Sequence, residues 1–220
     1  MKCRPTLLAA IALTAIAALS LSACGDDDSG SSKGSDKTAG VDVEADTESA
    51  SPSASASAEP GRPEIELPSD LSYTFDWSKT GDKDKDAILS DTEQSIKAVD
   101  LAIANQDPLD KAYLFYYEGE AAFGTQEFVQ SYVDEKARTT GAYRFYNPVV
   151  DVDDDGTASF SYCEDQGKAY AKYLKTNKIE KTKVTAKSYV IYHTSLKKND
   201  NGVWVIQKLV SQRGSDKCQP

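Results

Sequence analysis

Hydrophobic and polar positions change rhythm several times along the 220 residues. Residues 7–21 are almost wholly apolar, behind Lys2 and Arg4, and residues 25–70 are then Asp, Ser, Gly, Ala, Glu and Pro. Tyr73, Phe75 and Trp77 alternate with polar residues, which predicts a short strand or an extended arm. Ile88, Thr92, Ile96, Val99 and Ile103 recur at the spacing of one buried helix face, and Asn105-Gln106-Asp107-Pro108 ends that helix. A second helical stretch is predicted over 109–123, with Tyr113, Tyr116 and Tyr117 on one side. A third, after Gly124, carries Phe128, Val129, Tyr132 and Val133. Past Gly141 the period becomes two. Residues 143–153 read as a strand with a break at Asn147-Pro148, Asp153-Asp154-Asp155-Gly156 as a turn, and 157–163 as the return strand. Residues 167–174 and 182–194 form a further predicted pair, and Asn199-Asp200-Asn201-Gly202 is a hairpin turn. Residues 203–212 are apolar on both faces, which predicts a last strand that is central or covered. Helices first and an antiparallel meander afterwards make an α+β domain over residues 71–220.

Composition separates that domain from what precedes it. All 20 aromatic residues lie at Tyr73 or beyond. Residues 25–70, with the repeat Ser51-Pro52-Ser53-Ala54-Ser55-Ala56-Ser57-Ala58, cannot bury enough apolar area to offset their conformational entropy. A disordered linker over 24–70 is expected, with an end-to-end distance of roughly 40 Å as a flexible coil. The net charge of −10 is concentrated there: residues 25–70 hold twelve acidic and three basic side chains, residues 71–220 hold 23 and 20. Neither part carries the basic footprint of a nucleic-acid binder.

Residues 1–23 have the charged start, apolar middle and small-residue end of a secretory signal, and the apolar run is too short to span a bilayer. Leu21-Ser22-Ala23-Cys24 resembles the lipobox of bacterial lipoproteins. The resemblance implies that Cys24 receives a diacylglycerol thioether and becomes the first mature residue, anchored to the outer leaflet of the cell membrane by acyl chains, palmitate among them. Two chains at roughly 0.8 kcal/mol per buried methylene hold a protein on a bilayer, whereas one binds marginally. Export leaves Cys163 and Cys218 as an even pair in an oxidising compartment, which suggests a disulfide. Closing a loop of about 55 residues is worth roughly 4 kcal/mol by chain entropy. Zinc is a poor alternative: His193 is the only histidine and no Cys-x-x-Cys pair is present.

The element order resembles the nuclear transport factor 2-like, or cystatin-like, cone fold, in which N-terminal helices pack into the concavity of a bent antiparallel sheet. Cys163-Glu164-Asp165 with a C-terminal cysteine also resembles small actinobacterial lipoproteins. The cone resemblance implies an aromatic-lined pocket, here with Tyr113, Tyr117, Tyr162 and Tyr192 as its candidate walls. Its relatives include isomerases and dehydratases of the ketosteroid isomerase type, which pair a buried base with a Tyr or acid donor. Tyr113, Tyr116, Tyr117, Tyr162 and Tyr192 are candidate donors, and Asp165 or Glu120 the candidate base, but no catalytic motif maps residue by residue. The reading favoured is a non-enzymatic extracytoplasmic module that binds a small ligand or an envelope protein, with the isomerase or dehydratase second.

Other candidate chemistry is weaker. Asp151-Val152-Asp153-Asp154-Asp155-Gly156 starts like a calcium loop, but Tyr162 stands where the bidentate carboxylate belongs, so an acidic hairpin turn is favoured. His193 has no evident catalytic partners and reads as a surface or rim residue. Lys168, Lys172, Lys175, Lys178, Lys181, Lys183 and Lys187 crowd twenty residues. They protect a sheet edge or, as a third functional reading, meet anionic wall polymer. None of these readings calls for a cofactor.

Overall fold

The computed structural model describes residues 61–220. The leader, Cys24 and residues 25–60 of the expected linker lie outside them, whereas residues 61–70, expected as linker, belong to the domain: Arg62 is bonded to Asp91, Ile65 packs against the core, and Asp70 pairs with Arg138 at 2.8 Å and Lys172 at 2.9 Å. Among the described residues no helix is long and apolar enough to cross a membrane.

Strand β1 (Leu71–Phe75) is followed by helices α1 (Lys83–Asn105), α2 (Lys111–Leu114) and α3 (Gly119–Glu135). Strands β2 (Ala137–Val152), β3 (Thr157–Tyr173), β4 (Ile179–Glu180), β5 (Tyr189–Lys198) and β6 (Trp204–Arg213) complete one sheet, in the order β1-β2-β3-β5-β6 with β4 on β3. β1 runs parallel to β2 and every other pairing is antiparallel. Helices packed on one face of a curved, mainly antiparallel sheet are the α+β cone architecture expected.

Local chemistry explains the elements. The Asp82 carboxylate caps α1 by accepting from the amides of Asp84 and Lys85 at 2.9 and 3.0 Å. The helix stops where Gln106 turns left-handed at φ 56°. Ile88, Thr92 and Ile103 are buried as their spacing predicts, while Ile96 and Val99 on the same face border a cavity and stay half-buried. The core packs Phe75, Trp77, Phe145, Phe160, Tyr162 and Trp204 between helices and sheet. At Gly141 (φ 97°) a Cβ would lie 2.1 Å from the carbonyl oxygen of Lys168, so only glycine lets β2 and β3 close there.

Four elements differ from the sequence expectation. The second helix is only α2, because the chain at 116–118 leaves helical geometry to pair with β6: Ile206 donates its amide to the Tyr116 carbonyl at 2.8 Å, and Glu118 donates to the Ile206 carbonyl at 3.0 Å. The third helix starts at Gly119 and runs through Gly124 without a break. β3 is one strand from 157 to 173, not two; its first part pairs with β5 and its last part with β4, and β5 begins only at Tyr189. β2 starts at Ala137 rather than 143, and the break expected at Asn147-Pro148 is a bulge inside it, with Asn147 at φ 52°. Residues 203–212 are covered rather than central, since β6 ends the strand order but meets the 116–118 segment at its edge and α3 on its face.

On the opposite face of β3 from Tyr162, Cys163 is bonded to Cys218, with Cα atoms 5.5 Å apart. Cys163, Cys218 and Ile191, packed against Tyr146 and Tyr189, form a second small core, and the Tyr146 hydroxyl donates to the Cys218 carbonyl. The C-terminus is thereby pinned to the sheet.

Candidate functional site

A cavity of about 660 Å³ opens between α1, α3 and the inner face of the sheet. Its polar chemistry centres on two carboxyls. Asp100 stands four residues after Ile96 on α1, so helical geometry turns it to the apolar side. Glu164 follows Phe160 and Tyr162 at strand alternation, which places it on the same inner face of β3. They are 8 % and 6 % exposed.

Asp100 accepts one hydrogen bond at each oxygen, from the Tyr73 hydroxyl at 2.5 Å and the Thr139 hydroxyl at 2.8 Å. Burial pushes its carboxyl up to about 6, and these two donors hold it below where burial alone would leave it. Glu164 is pushed up to about 7, first by burial and further by the charge of Asp100, against hydrogen bonds from Tyr192 and Gln166. Gln166 Nε2 donates to Glu164 Oε2 at 2.7 Å, and Arg213 Nη1 donates to Gln166 Oε1 at 2.6 Å, so the guanidinium is hydrogen-bonded to the carboxyl through the amide, while its charge acts on Glu164 from a distance and favours the ionised form. Burial raises the phenols of Tyr143, Tyr162 and Tyr192 well above their ordinary value, and those of Tyr117 and Tyr132 to about 12. They are neutral hydroxyl donors at any physiological pH. Tyr162 and Tyr192 stack at 5.1 Å between ring centres.

Of the four tyrosines expected as walls, Tyr117, Tyr162 and Tyr192 line the cavity. Tyr113 does not: it is buried beneath, and its hydroxyl donates to the Pro108 carbonyl at 2.6 Å. Tyr116 packs in the core and is likewise absent from the lining. Glu120 reaches the rim, where it meets Lys208 at 3.4 Å. Asp165 points away, its Oδ1 accepting from the Gly167 amide at 2.7 Å. The structure therefore offers Asp100 and Glu164 in place of the two carboxylates singled out from sequence. Both had a readable signal, an acid at a position that helix or strand periodicity assigns to the apolar face.

The remaining candidates lie elsewhere. His193 is exposed on β5, opposite in direction to Tyr192. Residues 153–156 form the tight β2–β3 turn, with Asp155 accepting from the Thr157 amide at 3.0 Å. Lys168, Lys175, Lys178, Lys181, Lys183 and Lys187 are exposed, while Lys172 pairs with Asp70 at 2.9 Å. Among the described residues no three His, Cys, Asp or Glu side chains gather as metal ligands.

No family model matches the chain, and no curated protein sequence matches it. Among solved structures it is similar to Aln2 from a Streptomyces species, at 12 % identity over 57 % of this chain and 90 % of that one, with a TM-score of 0.40. It is also similar to ActVI-ORFA from Streptomyces coelicolor, at 11 % identity over 61 % and 96 %, TM-score 0.38. A third is a Shewanella frigidimarina protein provisionally named a ketosteroid isomerase, at 11 % identity over 59 % and 98 %, TM-score 0.30.

Proposed function

We propose that this chain is a lipid-anchored extracytoplasmic protein whose C-terminal domain binds a small molecule between its helices and its sheet. The observation that carries the binding reading is the cavity: an aromatic-walled space of about 660 Å³ with a few convergent polar groups, large enough for a compact organic ligand. Packing against Tyr132, Tyr143 and Tyr192 supplies affinity, and the carboxyls of Asp100 and Glu164 orient what enters. Native mass spectrometry of the full chain, purified with its disulfide intact, tests this. A reproducible added mass supports the reading and identifies the ligand; a bare mass that no small-molecule panel alters removes it. The anchor rests on the lipobox-like Leu21-Ser22-Ala23-Cys24. Cys24→Ala is expected to move the protein from the membrane fraction to the soluble one, and unchanged retention would refute the anchor.

A second reading has its own support. Two carboxyls with values of about 6 and 7, beside neutral phenols in a buried site, are poised for proton transfer near neutral pH. In that reading Asp100, held by two hydroxyl donors, is the base and the protonated Glu164 or Tyr192 is the donor to a developing enolate. A β,γ-unsaturated ketone probe, followed by the ultraviolet signal of its conjugated product, decides it. Turnover abolished by Asp100→Asn establishes the enzyme; absence of turnover leaves a binding domain.

A further inference from the structure

We infer that the ligand of this cavity is an organic monocation, a protonated amine carried on a flat apolar body. This inference rests on the binding reading above and names the ligand class for it.

Among the described residues the charged side chains bordering the cavity are Asp100, Glu120, Glu164 and Glu180, with Arg213 as the sole cation. Arg213 makes no ion pair with them among the described residues: its Nη1 is engaged by Gln166 Oε1 at 2.6 Å and by the Lys187 carbonyl at 3.3 Å, and its charge acts on Glu164 only at a distance, one cation against four acids. Low-dielectric walls focus the resulting negative field into the cavity. An anion is opposed by it. A neutral ligand leaves Asp100 and Glu164 to repel each other as before, whereas a cation offsets both at once.

A second observation is independent of charge. Tyr162 is 3 % exposed as a residue and borders the cavity, and its hydroxyl oxygen is not among the enclosed polar atoms left unpaired but opens on that space. A phenolic hydroxyl open to a cavity can both donate to and accept from what enters. This one stacks beside Tyr192, whose own hydroxyl stands against Glu164. An ammonium group there has N–H donors for the carboxylate and for the Tyr162 oxygen together. The aromatic side chains of Tyr132, Tyr143 and Phe128, on α3 and β2, also border the cavity. Apolar wall from Ile96, Val99 and Leu209 receives the rest of the molecule.

The test uses a pair matched in shape, naphthylmethylamine and naphthalenemethanol, titrated calorimetrically into the purified full chain. The amine is expected to bind at least about tenfold more tightly than the alcohol at pH 8. That gap should close as pH falls to 5, when Asp100 and Glu164 are protonated; the phenols of Tyr73, Tyr132, Tyr143 and Tyr192, which face them, are raised by burial and stay neutral throughout. The double variant Asp100→Asn with Glu164→Gln should remove the gap between amine and alcohol, and a cooperative thermal unfolding transition with an unchanged circular-dichroism spectrum shows that the variant is folded. Alcohol binding as tight as amine binding in the native protein overturns the cation inference while leaving the pocket in place. Failure of both probes to bind at any accessible concentration overturns the pocket reading and this inference together.

Discussion

The two halves of α1 bury an aspartate each and treat it differently. Near the N-terminal half, Asp91 is fully enclosed. It is bonded to the Arg62 guanidinium, and its other oxygen accepts the Trp204 amide at 2.8 Å. Nine residues on, Asp100 has hydroxyl partners only and borders a cavity. The first carboxylate has a cation and a backbone donor, so it is part of the scaffold. Among the described residues the second is buried with no cation paired to it, a costly arrangement that folding alone does not require. Such a group marks a place kept for something else.

The largest expected effect breaks the scaffold half. Asp91→Ala leaves the Arg62 charge partly buried and the Trp204 amide without its acceptor, and should cost about 3–5 kcal/mol in chemical denaturation. Removing the disulfide with Cys163→Ala and Cys218→Ala should cost about 2–4 kcal/mol. Because that bond lies on the other face of the sheet, the titration of Asp100 followed by NMR should not move. Asp100→Asn should do the opposite of Asp91→Ala and raise stability at pH 7 by about 2 kcal/mol, with little change at pH 4. The sign follows from the raised carboxyls. With Asp100 at about 6 and Glu164 at about 7, the native state holds protons that the unfolded chain has released. Their contribution to stability is therefore fullest below pH 4 and declines as pH rises to 7, and the variant lacks the Asp100 share of that decline. The smallest effect sharpens the contrast: Tyr73→Phe removes the 2.5 Å donor to Asp100 and should raise its titration midpoint above 6 at a cost of about 1 kcal/mol.

What the sequence shows of this molecule depends on how local the cause is. Helix α1 is legible from Ile88 to Ile103 because its burial pattern and its stop are both written within one turn of where they act. The Asn199–Gly202 turn and the order of helices before strands are legible for the same reason. The truncation of the second helix is not, because Tyr116 and Glu118 exchange helical bonds for partners on β6, almost ninety residues away. The continuity of β3 is hidden by Gly167, which reads as a breaker. It sits at a register shift between the Arg144–Asp165 and Ala142–Lys168 pairs, where β3 passes from β5 to β4 as its partner, and its amide goes to Asp165. The cavity carboxyls lie between these cases. Position 164 follows the alternation of its strand and position 100 the period of its helix, but an acid on an apolar face is visible as an anomaly only once that face is known to border a space. Asp165 and Glu120 stand close by in sequence, one turned away by strand alternation and the other out on the rim.

The Arg62–Asp91 pair has a mechanical consequence. It joins the first described residues to the middle of the domain, upstream of β1, where Tyr73 holds Asp100. A pull arriving along the chain from its N-terminal side is borne by that clamp and passed through α1 to Trp204 before any of it reaches β1. The clamp works as strain relief on a cable, and the hydrogen bond that sets the cavity's aspartate is kept out of the line of force.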